Sequence, residues 1–353
     1  MKVQSKVTLE MVMEMLRKVT DPELRRDIVT AGMVKDVEVE GGRVKFTLEL
    51  TTPACPLRDY LVTAAKQAVE SLPGVEQVEV NVTARVPQQA RKRELIPLVK
   101  NVIAIGSGKG GVGKTTVTVN VAVALSQMGA NVGLLDGDIY GPNVPRMLGV
   151  HGQPKVVSGK ILPLTAWGVK VISIGFFVEQ DAPVIWRGPM LHKAVEQLLS
   201  DVNWGELDYL FVDLPPGTGD VQISLSQLIE LGGAVVVTTP QDVALYDALK
   251  SAAMFEKTNT PILGIVENMS YFICPHCGQR TDIFPRGSIE EECKRRNIRY
   301  LGAIPIAPEV SRTSESGKPI VIAEPHSQAA IALYEVARQI AASISISALS
   351  KPL

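Results

Sequence analysis

Apolar and polar positions fall into two textures along the chain. Up to about residue 85 the pattern is short and alternating. An apolar stripe with helical spacing covers 8–19 and stops before Asp21-Pro22, and two alternating segments, Val34–Glu40 and Arg43–Leu50, flank Gly41-Gly42. Period-two alternation on both sides of a Gly-Gly pair predicts a β-hairpin. The segment Thr51-Thr52-Pro53-Ala54-Cys55-Pro56-Leu57 follows, then a predicted helix to about Ser71 and a last alternating strand at 75–82.

From residue 99 the texture changes. Apolar runs recur at 102–105, 132–135, 169–174, 209–212, 234–238, 262–266 and 301–304. They are too continuous for strands with one wet face and suit a sheet covered on both sides. Helical patterns at 113–128, 190–199, 221–231 and 243–257 lie between most of them. Such alternation predicts an α/β fold with a doubly wound, mostly parallel sheet, preceded by a small α+β domain. The expected organisation is 1–85, a polar linker at 86–98, and 99–353.

Composition sets limits. Of 353 residues, 46% are hydrophobic and 21% charged, the balance of a globular chain with a sizeable core. A formal net charge of -1 argues against the broad basic surface that nucleic acid demands, so no nucleic-acid partner is expected. The start, MKVQSKVTLEM, lacks the apolar core of a signal peptide, and no uninterrupted apolar run is long enough to cross a bilayer. A cytoplasmic location without a membrane partner is expected. Four cysteines, at 55, 274, 277 and 293, are too few for a disulfide scaffold.

The chemistry concentrates first between Gly106 and Thr116. Gly108-x-x-x-x-Gly113-Lys114-Thr115 has phosphate-loop spacing, with a predicted strand before it and a helix after. Gly108, Gly110, Gly111 and Gly113, with Val112 among them, let successive N–H groups turn towards phosphate, and the helix start adds a favourable field. Lys114 is placed to reach the β- and γ-phosphates of ATP, and the Thr115 hydroxyl to ligate Mg²⁺. Lys109 sits on the rim, where folding back onto its own phosphates is awkward. It either reaches a nucleotide on a second subunit or is a solvated lysine. Asp136 and Asp138 end the second strand, at the carboxyl edge where such sheets bind ligands, and can hold Mg²⁺ or orient a water. Asp213 closes another apolar run near the metal, with Gly217 placed to sense the γ-phosphate.

A second centre is Cys274-Pro275-His276-Cys277-Gly278, two thiolates on one tight turn. Thiolate metal sites hold four-coordinate zinc or an iron–sulfur cluster. One pair supplies two ligands, so a twofold homodimer would complete the set, in line with a Lys109 that acts across subunits. A redox dithiol, a structural zinc completed by His276 or another cysteine, and simple packing remain as other readings. The dithiol is disfavoured because the pair follows Tyr271-Phe272 and precedes Gly278, not a helix. Cys293 lies in a charged helical stretch and reads as incidental. Cys55 precedes Pro56 at a predicted helix start, where a thiolate is favoured and reactive.

GKGGVGKTT with Lys109, DGDIYGPNVP at 136–145 and VDLPPGTGD at 212–220 together resemble the deviant Walker A ATPases, which include the nitrogenase iron protein and the ParA/MinD partition proteins. Within that group the chain is most similar to the Mrp/ApbC iron–sulfur carriers, and WRGPM at 186–190, ENMSYFICPHCG at 267–278 and GAIPI at 302–306 extend the match over nearly all of 99–345. The unit 1–85, with DPEL at 21–24 and TTPACP at 51–56, resembles the SufT-type iron–sulfur assembly domain. The resemblance implies an ATPase in which Lys109 acts across a dimer, Lys114, Thr115 and Thr116 hold phosphate and metal, and Asp138 orients the hydrolytic water with Asp136 in support. It implies that Asn268 contacts the base, helped by backbone near Pro305. It implies a 4Fe–4S cluster bridging Cys274 and Cys277 of both subunits, with His276 a spacer, and exchange with an assembly scaffold and apo iron–sulfur proteins. A delivery role for Cys55 follows from the same likeness.

Three rivals carry different expectations. A MinD- or ParA-like positioning ATPase on a membrane needs a basic amphipathic terminal helix, whereas residues 331–353 carry one Arg and one Lys. A reductase like the nitrogenase iron protein draws its cluster cysteines from two separate positions. A zinc-stabilised P-loop ATPase dimer would use the same cysteine pair without sulfide.

Overall fold

The computed structural model describes residues 7–88, 95–139, 141–177, 188–217, 219–284 and 289–349. It forms two compact units, 1–87 with 341–353, and 88–340.

In the first unit Thr8 caps the opening helix, its hydroxyl accepting the Met11 N–H at 3.3 Å. The helix runs Leu9–Leu16, shorter than the predicted 8–19, because the chain then enters a two-residue pairing of Thr20–Asp21 with Arg26–Asp27. Val34–Glu40 and Arg43–Leu50 pair antiparallel at the predicted bounds. Gly41 takes φ 60 at the turn between them, a conformation that favours glycine. Helix Arg58–Glu70 then carries the chain across to Gln77–Ala84, which lies parallel to the middle strand. Alternation along that strand sends Val44, Phe46, Leu48 and Leu50 inwards, into one core with Val12, Leu16, Leu61 and Val69. Ser345 belongs to the same unit and donates to the Thr51 carbonyl at 3.3 Å.

The second unit is built on an eight-stranded sheet in the order Leu164–Ala166, Val169–Ser173, Val132–Asp136, Leu207–Asp213, Val99–Ser107, Gly233–Thr238, Ile262–Glu267 and Tyr300–Ala303. Every neighbouring pair is parallel except the first. That antiparallel edge strand is too short to show as an apolar run. Helices such as Lys114–Gln127, Asp220–Leu228 and Asp242–Lys257 connect the strands, and Val132–Asp136 and Leu207–Asp213 are buried along their whole length. Strand Val99–Ser107 lies between Leu207–Asp213 and Gly233–Thr238. The strand order reverses there, so its carboxyl end opens into the crevice where α/β sheets take ligands. Register sets Asp213 beside both Asp136 and Ile105. In the stretch expected to be linker, Ile96 is buried in the core of this unit, while residues 89–94 lie outside the described residues.

Helix Gln328–Leu349 has the length and composition to cross a membrane. The sequence reading required an unbroken apolar run, and Glu335 and Arg338 interrupt this one. Most of the helix is nevertheless buried inside the protein, including Ala330, Leu333, Ala337, Ile340 and Ile344.

Phe46 is fully buried at the centre of the first unit. Phe46→Ala is expected to destabilise that unit by about 3–5 kcal/mol, measured as lost hydrogen-exchange protection along Arg43–Leu50.

Candidate functional site

The phosphate loop is shaped by close backbone approach. A Cβ on Gly108 would lie 2.1 Å from the Asp247 carbonyl carbon, and one on Gly113 2.2 Å from Asn268 Nδ2. Gly111 and Gly113 both take φ 81, the left-handed region that side chains disfavour. The loop therefore turns into helix Lys114–Gln127 at Gly113.

Below it, Asp213 gathers the loop's functional side chains. Its Oδ2 accepts Lys114 Nζ at 2.6 Å and Thr115 Oγ1 at 2.7 Å, while Oδ1 accepts Thr118 Oγ1 at 2.7 Å. Lys114 Nζ also lies 3.7 Å from Asp138 Oδ2. Asp136 is fully buried and accepts from Ser173 Oγ at 2.9 Å and from the Asp138 N–H at 3.2 Å. Burial, then the charge of Asp213, pushes its carboxyl up to about 8, and through the bond from the Asp138 N–H it braces the Asp138 turn. The Gly217 N–H donates to the Ser107 carbonyl at 2.8 Å, and the Ser107 hydroxyl to the Lys109 carbonyl at 3.1 Å.

A cavity of about 670 Å³ opens over the loop. Lys109, Gly110, Gly111, Val112, Gly113, Lys114, Thr115 and Thr116 line it with Asp138 and Asn268, and Met269, Pro305 and Ile306 close one side. Gly108, Asp136, Asp213 and Gly217 are not among the lining residues. Asn268 is docked on the loop, its Nδ2 donating to the Val112 carbonyl at 2.9 Å. Tyr140, Trp186, Arg187 and Thr218, from the segments that carry the resemblance, lie outside the described residues.

The cysteine pair is elsewhere in the same unit, at the tip of a small hairpin made by Phe272–Ile273 and Arg280–Thr281. The Gly278 N–H closes the turn on the Cys274 carbonyl at 2.8 Å, with Gly278 at φ 70. Cys277 is exposed and Cys274 partly so. The backbone N–H groups of Cys277 and then His276, with the Cys277 thiol, hold the Cys274 thiol below its ordinary pKa. Among the described residues no group of three or more His, Cys, Asp or Glu is arranged to hold a metal ion, so the pair gains no third ligand of these types there.

The other two cysteines differ. Cys293 is buried in the core, and burial, then Glu292, pushes its thiol up to about 11. Cys55 corrects the sequence reading. The helix begins only at Arg58, and burial, then the charges of Asp21 and Glu23, outweighs a backbone donor at Leu57 and raises the thiol to about 11. It is held as a neutral thiol.

With this geometry the comparisons are decisive. A family model described as NUBPL iron-transfer P-loop NTPase matches residues 98–341. The chain belongs to that family. A second, described as iron–sulfur cluster assembly protein, matches 9–82. The chain is 51% identical to an iron–sulfur cluster carrier protein of Synechocystis, covering 97% of this chain and 99% of that one. It is 48% identical to the iron–sulfur cluster carrier protein of Deinococcus radiodurans, over 95% of both. Among solved structures it resembles a nucleotide-binding protein of Archaeoglobus fulgidus in complex with ADP, at 38% identity and a TM-score of 0.56, covering 64% of this chain and 89% of that one. The cell division ATPase MinD of Pyrococcus furiosus gives 28% identity and a TM-score of 0.51, over 68% and 98%. The chain is therefore a P-loop NTPase-family member whose relatives are iron–sulfur carriers.

Sequence reasoning missed Thr118 and Ser173, which fix Asp213 and Asp136. Thr118 had a legible signal, because it follows Lys114 by one helical turn. Ser173 had none, since only sheet pairing sets it beside Asp136.

Gly108→Ala is expected to cost about 1–3 kcal/mol of stability, since the added methyl meets backbone. Gly110→Ala, where the nearest atom would be Pro216 Cγ at 3.9 Å, is expected to stay within about 0.5 kcal/mol. Thermal unfolding of the two variants checks the contrast.

Proposed function

We propose that this chain is an ATP-hydrolysing iron–sulfur cluster carrier. As a homodimer it holds a 4Fe–4S cluster between Cys274 and Cys277 of both subunits, receives it from an assembly scaffold and passes it to apo-proteins. The observation that carries the reading is an exposed two-thiol turn without a third such ligand among the described residues, in the same unit as a phosphate-loop cavity. The cluster is cargo, and exposure suits a ligand set that must release it. A Cys274 thiol held below its ordinary pKa suits iron.

For the nucleotide, Lys114 is assigned to the β- and γ-phosphates and Thr116 to the phosphate side of the cavity. Thr115, with the carboxylates of Asp213 and Asp138, offers the hard oxygen donors that Mg²⁺ requires. Bound there, Mg²⁺ would neutralise phosphate charge. Asp138 orients the attacking water, braced through its N–H by Asp136. Lys109 reaches the nucleotide of the second subunit, which ties hydrolysis to the dimer that brings both cysteine pairs together. Asn268 and the backbone near Pro305 take the base. Gly217 would have to turn its N–H away from Ser107 to sense a γ-phosphate, a rotation that a glycine at φ 95 can make. The reading places the protein in the cytoplasm and needs neither membrane nor nucleic acid.

Anaerobic purification followed by iron, sulfide and absorption analysis tests the cargo. The expected content is about four iron and four sulfide per dimer, as one 4Fe–4S cluster contains, with loss of iron in Cys277→Ser. Stoichiometric zinc without sulfide overturns the reading. Lys109→Ala is expected to keep ADP binding and lower ATP hydrolysis about a hundredfold; a steady-state rate equal to that of the unmodified protein sinks the cross-dimer role. Transfer to an apo-acceptor is expected to change rate with ATP, and equal rates would remove the coupling.

A further inference from the structure

Behind the side of the cavity formed by Asn268 and Met269 lies a carboxylate that none of these roles uses. Glu267 ends its strand only 8% exposed and does not line the cavity. Its Oε1 accepts the Ser270 hydroxyl at 2.8 Å, and its Oε2 accepts the Tyr300 hydroxyl at 2.7 Å. No ion pair among the described residues neutralises it. A buried carboxylate satisfied only by hydroxyls is costly beside an apolar residue of similar size. Its retention calls for a geometric reason.

The geometry supplies one. The two oxygens hold both sides of a tight turn. Ser270 follows Glu267 by three residues, and Tyr300 reaches in from the adjacent strand. Between Glu267 and Ser270 stand Asn268 and Met269, and Met269 adopts φ 55, a left-handed conformation that persists in a non-glycine residue only where its surroundings impose it. Backbone bonds hold the same turn, with Asn268 N–H to Thr238 O at 2.8 Å and Ser270 N–H to Ile304 O at 2.9 Å. Burial, then the contact with Glu267, raises the Tyr300 phenol well above its ordinary value, so this hydroxyl remains a donor.

We propose that Glu267 is a positioning residue for the base of the bound nucleotide: clamped by Ser270 and Tyr300, it fixes the strained Asn268-Met269 turn so that Asn268 is held over the phosphate loop. The proposal rests on the assignment of Asn268 to the base.

The test compares the full chain's affinities for ADP and for inorganic pyrophosphate, since their ratio isolates the nucleoside contribution. Tyr300→Phe keeps the ring and removes the clamp's outer donor. It is expected to shrink that ratio about five- to tenfold, with pyrophosphate affinity unchanged. Glu267→Ala is expected to shrink it further, whereas Glu267→Gln, whose amide can still bond both hydroxyls, restores most of it. A merely structural carboxylate would instead weaken ADP and pyrophosphate in parallel. That parallel loss, an unchanged ratio in Tyr300→Phe, or a Gln variant as impaired as the Ala variant would overturn the clamp. If Glu267→Ala does not fold, Tyr300→Phe and Ser270→Ala decide the matter. ADP that binds the unmodified protein no more tightly than pyrophosphate overturns both the base assignment and the clamp. The expected ratio shift in a protein that retains no iron supports the clamp and overturns only the carrier reading.

Discussion

The nucleotide side of this molecule depends on the buried carboxylate of Asp213. It collects the ammonium of Lys114 and the hydroxyls of Thr115 and Thr118 within 2.7 Å, so the strand Leu207–Asp213 and the helix Lys114–Gln127 are locked together at the point where phosphate chemistry is proposed. Asp136 stands alongside Asp213 in register and is buried as deeply. Burial, then its neighbour Asp213, raises the Asp136 carboxyl to about 8. Two adjacent strand-end acids thereby acquire different tasks, one gathering cations and hydroxyls and the other bracing the Asp138 turn.

The cysteine turn is not an independent appendage. The seven residues from Asn268 to Cys274 lead from the cavity to the thiols, and this stretch is laddered to 304–306: Ser270 bonds Ile304, and the Ile306 N–H donates to the Tyr271 carbonyl at 2.7 Å. Ile304, Pro305 and Ile306 also line the cavity. A nucleotide that displaced this side of the cavity would move the base of the hairpin as well.

The thiols show how environment sorts one residue type into separate uses. Cys274 receives backbone donors on an exposed turn, which hold its thiol below the ordinary value. Cys293 is core packing, and Cys55 is held protonated by burial and nearby acids. Proline after Cys55 suggested a helix-start thiolate, but the helix begins three residues later. A local pattern could not reveal a desolvation that depends on the surrounding fold.

By itself the sequence determined the fold class, the phosphate loop, the strand-end acids, the cysteine pair and the hairpin of the first unit. Each rests on local periodicity or spacing, which survives any tertiary arrangement. Strand bounds at 34–40 and 43–50 were legible because the second strand buries one face and the turn is Gly-Gly. Tertiary structure alone decided the rest. It set Val99–Ser107 between two strands distant in sequence, brought Thr118 and Ser173 to the acids, and assigned the end of the terminal helix to the first unit. It also formed the Glu267 clamp, because Tyr300 lies 33 residues away and only parallel strand pairing delivers its hydroxyl there. Long-range pairing leaves no periodic trace in a chain, and it is what brought these partners to the acids.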